Sequence, residues 1–509
     1  MREQFFSKTF WITLSLLAAW FAIAVLSFFT NTATIATSAL AIATFIISLR
    51  KTEYGIYIAF AELFTGSHGH VLPYARMAIF AAIMLAWLIK IIFKKTRIPQ
   101  NLNLYMPFFL LATAVALGFA IGLLRNNAKD AFDDANGFFY LVYLLPIISV
   151  KWDAIKQHNL LQILAASAVW ISILTLILIY IFSHMSEPIM RSAYTFARDT
   201  RIGEFTHIGA GVYRIFIQSQ FTSIAFLFII TLFFLYNSKI TDKAKEYLAP
   251  FSLIISSLIA SMSRSFAIGL SAGIIAFFAF CWQQGSVFGE NFTKKISIIF
   301  LSLVASFLLL FAAVSVPVPP GTGSFGLIRA LSTRTDSGDL AISSRWKLLP
   351  RMNDAIFENP IFGSGFGTIV AFPTDDPRIL SISPDGMWRT YRFEWGWHDL
   401  WLKMGIFGPI AMLYLIFFIC KTALINKKSE RAWLYSAILC YSCALLAIHI
   451  FSPYLNHPIG LGFLLFAVPF LTFKEKNNIH GSKVEILKMP IKQISFDAPA
   501  QFSQQTKTQ

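Results

Sequence analysis

Charge is scarce in this chain. Only 13% of its 509 residues are Asp, Glu, Lys or Arg, against 56% apolar residues and a mean hydropathy of +0.63. Soluble domains carry about 25% charged residues, so the balance points away from a water-soluble globule and toward a polytopic membrane protein. Cysteine is scarce too. Cys281, Cys420, Cys440 and Cys443 all lie in or beside apolar runs, which argues against a disulfide framework. Cys440 and Cys443 have C-x-x-C spacing but no second pair of ligands, so they read as helix- or lipid-facing thiols. The histidines make no metal-binding pattern. His68 and His70 flank one glycine and the rest are scattered, so neither a metal nor another cofactor is expected. No fixed-period repeat and no matched pair of Gly/Pro-broken helices is present, which weakens a transporter reading. No small-residue cleavage site follows the first apolar run, Thr9–Phe29, which is therefore expected to remain as a span. The net charge of +16 raises the question of nucleic acid. Its distribution favours a membrane and phosphate instead, and no nucleic-acid partner is expected.

What is present is a series of fourteen apolar segments, from Thr9–Phe29 to Ile459–Phe473, with Ile215–Tyr236 and Leu400–Cys420 among them. Each must be helical, because hydrocarbon cannot satisfy open backbone groups. Tyr54–Gly66, Gly137–Val150 and Leu248–Met262 are short for a span. The expected organisation is a transmembrane array over 1–314 (about eleven spans), an Arg-rich outer loop over 315–398 and about three further spans over 399–473. A basic, disordered tail over 474–509 follows. Lysines fall on alternate connections and mark the cytoplasmic side, with both termini inside. Arginine does the opposite: 14 of 18 arginines, but only 3 of 24 lysines, fall on the outer side. A topology signal would not separate the two. The planar fork of arginine suits phosphate or carboxylate and keeps its charge when desolvated. Pairing with carboxylates in the same loops is the plainer alternative.

Four places could carry chemistry. In Met262-Ser263-Arg264-Ser265-Phe266, two apolar segments meet with little room for a loop, so Arg264 is held near membrane depth. It either snorkels to the interface or anchors a lipid-borne phosphate, helped by the helix that follows. In Ser343-Ser344-Arg345-Trp346-Lys347, the serines are expected to cap a helix toward Glu358. Leu348, Met352 and Ile356 recur at spacing four, as in an amphipathic helix on the outer surface, with Arg345 and Lys347 near its positive end and Pro350 in its first turns. In N-P-I-F-G-S-G-F-G, Gly363 and Gly365 permit close backbone approach to a ligand or a tight structural turn; no strand precedes them, so a dinucleotide fold is not supported. In Glu394-Trp395-Gly396-Trp397-His398-Asp399, His398 stands where the loop re-enters the membrane. Glu394, four residues back, is placed to orient its imidazole on a helix, while Trp397 suits an aromatic belt or a sugar-stacking surface. As a general base, His398 would suit a hydroxyl acceptor.

These residues, in this order, resemble the O-antigen ligase and O-antigen polymerase superfamily of bacterial inner membranes. S-R-S-F-A-I-G-L is similar to the family's outer-face T/S-R segment. S-S-R-W-K-L-L with N-P-I-F-G-S-G-F-G is similar to its R-x-x-x-W/Y and P-x-x-G-x-G-x-G region. W-H-D-L-W-L-K-M-G-I-F-G-P is similar to its H-N-x-x-L-x-x-x-G-x-x-G segment, with Asp399 where the family usually has Asn. The resemblance covers roughly residues 248–473. It implies an all-α polytopic fold of the C-type glycosyltransferase-like kind, with about fourteen spans and one large periplasmic loop. It implies transfer of a glycan from an undecaprenyl-diphosphate carrier to a sugar hydroxyl, on lipid A–core or on a lipid-linked glycan, without a metal or a nucleotide sugar. Arg264 and Arg345 would hold the diphosphate, with Lys347, Gly363, Gly365, Glu394 and Trp397 around the substrate, and His398 would activate the acceptor. Glycan transfer to a protein and a lipid or polysaccharide transporter are the alternatives.

Overall fold

The computed structural model describes residues 5–471 except 100–101, 210–211, 238–244, 285–291, 317–339, 375–379, 382, 384 and 427–428. Met1–Thr472 form one compact unit. The expected disordered tail lies outside the described residues.

The chain is mostly helical. Helices α1 (Lys8–Phe29), α2 (Ala33–Arg50), α3 (Thr52–Thr65), α4 (Ala75–Ile92) and α5 (Met106–Arg125) come first. Next are α6 (Ala128–Ala135), α7 (Leu144–Ser149), α8 (Ala154–His184) and α9 (Glu187–Asp199). A hairpin of β1 (Gly203–Gly209) and β2 (Val212–Ile217) leads to α10 (Gln220–Tyr236), α11 (Leu248–Ser261), α12 (Arg264–Gln284) and α13 (Phe292–Ser315). Helix α14 (Leu340–Glu358) is followed by β3 (Val370–Pro373) and β4 (Met387–Thr390), and the chain then runs through α15 (Gly396–Met404), α16 (Phe407–Ile425), α17 (Ala432–Phe451) and α18 (Pro458–Leu471).

Nine helices among the described residues are long and apolar enough to cross a membrane: α1, α2, α4, α5, α8, α12, α13, α16 and α17. A bilayer core takes about 20 helical residues. The other expected segments are shorter or broken. Helices α3, α11 and α18 have 14 residues each and α10 has 17. Gly137–Val150 is no single helix: a 3-10 stretch, Asn136–Tyr143, passes into α7. The segment expected to begin at Ile215 starts as strand, because V-Y-R-I-F-I is β-prone and pairs with β1, Gly203 opposite Ile217. The all-α expectation holds for the bulk of the chain, to which this hairpin and the short antiparallel pair β3–β4, with Val370 opposite Thr390, are the additions. Leu400–Cys420, expected as one span, is broken at Gly405, whose φ is +61°. There the loop 359–367 wedges in, and Ile406 N–H donates to the Pro360 carbonyl at 3.0 Å.

Burial separates the centre from the lipid-facing rim. In α8 and α17, 72% and 67% of the apolar window is buried, against 17% in α1, α2 and α13. The rim exposes large apolar side chains such as Trp11, Leu16, Leu26 and Phe300, as hydrocarbon contact permits.

The loops on the arginine-rich side are tied to one another. Ser67 N–H donates to Ser219 Oγ at 2.8 Å, Asn126 Nδ2 to the Phe366 carbonyl at 2.9 Å, and Ser452 Oγ to Ser265 Oγ at 3.1 Å. The described part of the expected 315–398 loop is therefore packed into the same unit rather than standing apart.

The glycine-rich stretch has a packing role. Gly363, Gly365 and Gly367 have φ of +76°, +89° and +80°. A Cβ on Gly365 would stand 2.4 Å from the backbone nitrogen of Gly122 in α5. The chain turns left-handed here so that two backbones can touch. The Gly363 N–H is used by the Asn359 carbonyl and the Gly367 N–H by Asp134 Oδ2, both within the protein. Gly365→Ala is expected to lower the unfolding temperature. The left-handed backbone alone costs about 1–2 kcal/mol, and the overlap with Gly122 adds to it. Gly386→Ala is the control: its φ is +70°, but its nearest neighbour would be 3.9 Å away. Equal shifts in the two variants would contradict the close approach.

Candidate functional site

The site is built around Trp395. In α14, Leu348, Met352 and Ile356 form the stripe that their spacing implies, and they are buried against Val370, Phe372, Phe393, Trp395 and Leu402. The stripe therefore faces protein, a correction to the expected surface-lying helix. The helix also starts at Leu340, before Ser343 and Ser344, so these serines do not begin it. Pro350 lies inside the helix.

The Trp395 indole N–H donates to the Arg345 carbonyl at 3.0 Å. The Arg345 guanidinium pairs with Glu394. Helix α15 starts at Gly396, two residues too late for Glu394 to share a helical face with His398. The expected Glu394–His398 pairing is therefore replaced by Glu394–Arg345. The rings of Trp346, Phe451 and His398 stand 5.3, 5.5 and 5.9 Å from that of Trp395. His398 is half-buried on α15, outside the nine candidate spans, and desolvation lowers its pKa below the usual histidine value. The Arg345 backbone carbonyl and the His398 ring thus meet the same indole from two elements far apart in sequence, while the Arg345 side chain reaches Glu394, next to Trp395. Lys347 is half-buried on α14.

Arg264 is the exposed first residue of α12, after a left-handed turn at Met262 (φ 45°). It is tied to the cluster through neighbours: Ser265 bonds Ser452, next to Phe451, which packs on Trp395. Arg214 stands beside the same turn. Its Nε donates to the Ser261 carbonyl at 2.9 Å, and its guanidinium lies over the Phe216 ring at 4.8 Å. The Phe216 ring is in turn 5.7 Å from that of Phe266. Trp397 is half-buried and meets His449 edge-on at 4.8 Å, so part of its face is used within the protein.

The sequence reading missed a buried polar network behind His398. Lys403 Nζ lies 2.6 Å from Asp134 Oδ1 and 2.5 Å from Asp399 Oδ1. Asn456 Nδ2 donates to Asp399 Oδ2 at 2.5 Å, and Asp134 Oδ2 accepts the Gly367 N–H at 2.8 Å. Two carboxylates share one ammonium in the interior. The network joins α6, the glycine turn, α15 and the turn after α17, and so fixes the helix that carries His398. An acid and a base four residues apart in the apolar W-H-D-L-W-L-K were a legible signal for half of it. Asp134 gave none.

Among the described residues, no three His, Cys, Asp or Glu side chains gather as metal ligands. No family model, curated protein or solved structure matches the chain.

Proposed function

We propose that this chain is a multi-pass glycosyltransferase of the O-antigen ligase/polymerase type in a bacterial inner membrane. It transfers a glycan from an undecaprenyl-diphosphate carrier to a sugar hydroxyl at the periplasmic face, across about fourteen spans. The observation that carries this reading is that Trp395 links the two elements: its indole donates to the Arg345 carbonyl and packs against the His398 ring, while the Arg345 guanidinium pairs with the adjacent Glu394. An imidazole and two guanidiniums next to the membrane suit attack by a hydroxyl and departure of a diphosphate.

In the transfer, the acceptor oxygen bonds to the anomeric carbon as the bond to the diphosphate oxygen breaks. His398 takes the hydroxyl proton. Arg264 and Arg345 stabilise the charge that collects on the leaving diphosphate. The Arg345–Glu394 pair is partly exposed, with side chains 36% and 52% accessible, so it contributes little to stability and a phosphate can take the place of Glu394.

A base must be neutral to accept a proton, and the lowered pKa keeps His398 neutral at ordinary pH. The acidic limb of kcat/KM is therefore expected below about 6.5, the unperturbed histidine value. A limb at or above that value would contradict the assignment.

The reading is tested with purified protein in proteoliposomes containing a glycan-labelled lipid-diphosphate donor. Lipid A–core and a second lipid-linked glycan are supplied separately, and the one extended separates ligase from polymerase. Extension of a protein acceptor alone would favour protein glycosylation. Donor crossing the bilayer without transfer would replace the reading with transport.

A further inference from the structure

A cavity of about 410 Å³ opens among the outer loops, and no step of the transfer uses it. Its walls are the end of α9, the β1–β2 hairpin and the loop after α3. Tyr194, Arg201, Thr206, Phe216, Gln218 and His68 line it. The loop that carries His68 is held in place: Ser67 N–H donates to buried Ser219, and Arg76 Nη2 donates to the Ser67 carbonyl at 2.9 Å.

The charges around the cavity are mostly compensated. Arg76 pairs with Glu62 at 2.8 Å, Arg198 with Asp199 at 2.7 Å, and Glu204 faces Arg214 at 3.5 Å. Arg201 is exposed in the cavity, and among the described residues no carboxylate pairs with it. His68 lines the cavity, reached by solvent yet enclosed by protein. Burial first, then neighbouring charged groups, push His68 down to about 3, so it is a neutral donor and acceptor.

One guanidinium without a carboxylate partner among the described residues, one neutral imidazole, hydroxyl-binding side chains and aromatic faces make a set suited to one chemistry. Aromatic faces pack against the C–H faces of sugar rings, amides and hydroxyls bond their oxygens, and arginine takes a carboxylate. The volume falls in the range of about 300–1,000 Å³ typical of small-molecule sites.

We propose that this cavity binds an acidic saccharide of one or two rings, with Arg201 on its carboxylate, Thr206 and Gln218 on its hydroxyls, and Tyr194 and Phe216 against its ring faces. The proposal rests on the transferase reading only in making that saccharide part of the acceptor; binding is measured without turnover.

The test is titration of the full-length protein in nanodiscs with a glucuronosyl-glucose disaccharide, with cellobiose and with inorganic phosphate, followed by calorimetry. The acidic disaccharide is expected to bind about tenfold or more tightly than cellobiose, consistent with a charged hydrogen bond. Arg201→Asn is expected to abolish that preference; asparagine tolerates the left-handed backbone at this position (φ 51°). Tyr194→Ala, on the exposed wall, is expected to weaken both saccharides and carries the test if Arg201→Asn does not fold. Equal binding of the two disaccharides, an unchanged preference in Arg201→Asn, or unchanged binding in Tyr194→Ala would overturn the site. So would phosphate binding with no saccharide binding, which would mark a simple anion site. Binding without any glycan transfer sinks the transferase reading alone, and transfer without this binding sinks the cavity alone.

Discussion

Replacing His398 with glutamine is expected to lower kcat for glycan transfer by about 10²–10⁴-fold, the usual contribution of a positioned base. Glutamine keeps a polar side chain of similar reach but cannot take up the acceptor proton. His398 is half-buried and meets Trp395 only by ring packing. The unfolding temperature is therefore expected to change little. Donor KM should also hold, since the diphosphate is assigned to Arg264 and Arg345. The split between kcat and KM separates a proton acceptor from a packing residue. A kcat within threefold of wild type would remove His398 from the mechanism, and a matching loss of thermal stability would make it structural.

Replacing Lys403 with methionine is expected to have the largest effect on stability. Its side chain is 4% accessible, and its partners Asp134 and Asp399 are 7% and 5% accessible. Without the ammonium, two carboxylates stay buried against each other. Breaking one partner out of a buried pair costs about 3–5 kcal/mol. Thermal unfolding in detergent should show a large drop. Asp399→Asn added to Lys403→Met should recover part of it, since one of the two orphaned charges is then gone. A Lys403→Met protein as stable as wild type would mean that water or a relaxed helix compensates both carboxylates. The same variant should also lower transfer, because the network holds the helix that carries His398.

The long helices were legible because hydrocarbon allows only one solution for an apolar run, and nine among the described residues are long and apolar enough to span. The breaks were less so. Gly405 interrupts an unbroken apolar stretch because a distant loop enters there, and nothing local announces the partner. The end of β2, Ile215–Ile217, was hidden at the start of an apolar segment that runs on into a helix, and the rest of the hairpin lies in the connection before it. In the site, the stripe Leu348–Met352–Ile356 gave its helix face but not what covers it, since periodicity describes a face and not its neighbour. Glu394 was assigned to His398 by helical spacing, and the late start of α15 gave it to Arg345. The Asp134–Lys403–Asp399 network joins residues 269 positions apart. Such pairing is set by tertiary packing, so half of it left no trace in the local sequence.

The measurement that bears most directly on the transferase is the initial rate of glycan transfer from a lipid-diphosphate donor in proteoliposomes. It compares wild type with Arg264→Gln, Arg345→Gln and the pair. If both guanidiniums hold one diphosphate, each single variant loses rate and the double variant loses less than the sum of the two free energies. Full transfer by both single variants, or strictly additive losses, would contradict a shared diphosphate beside Trp395.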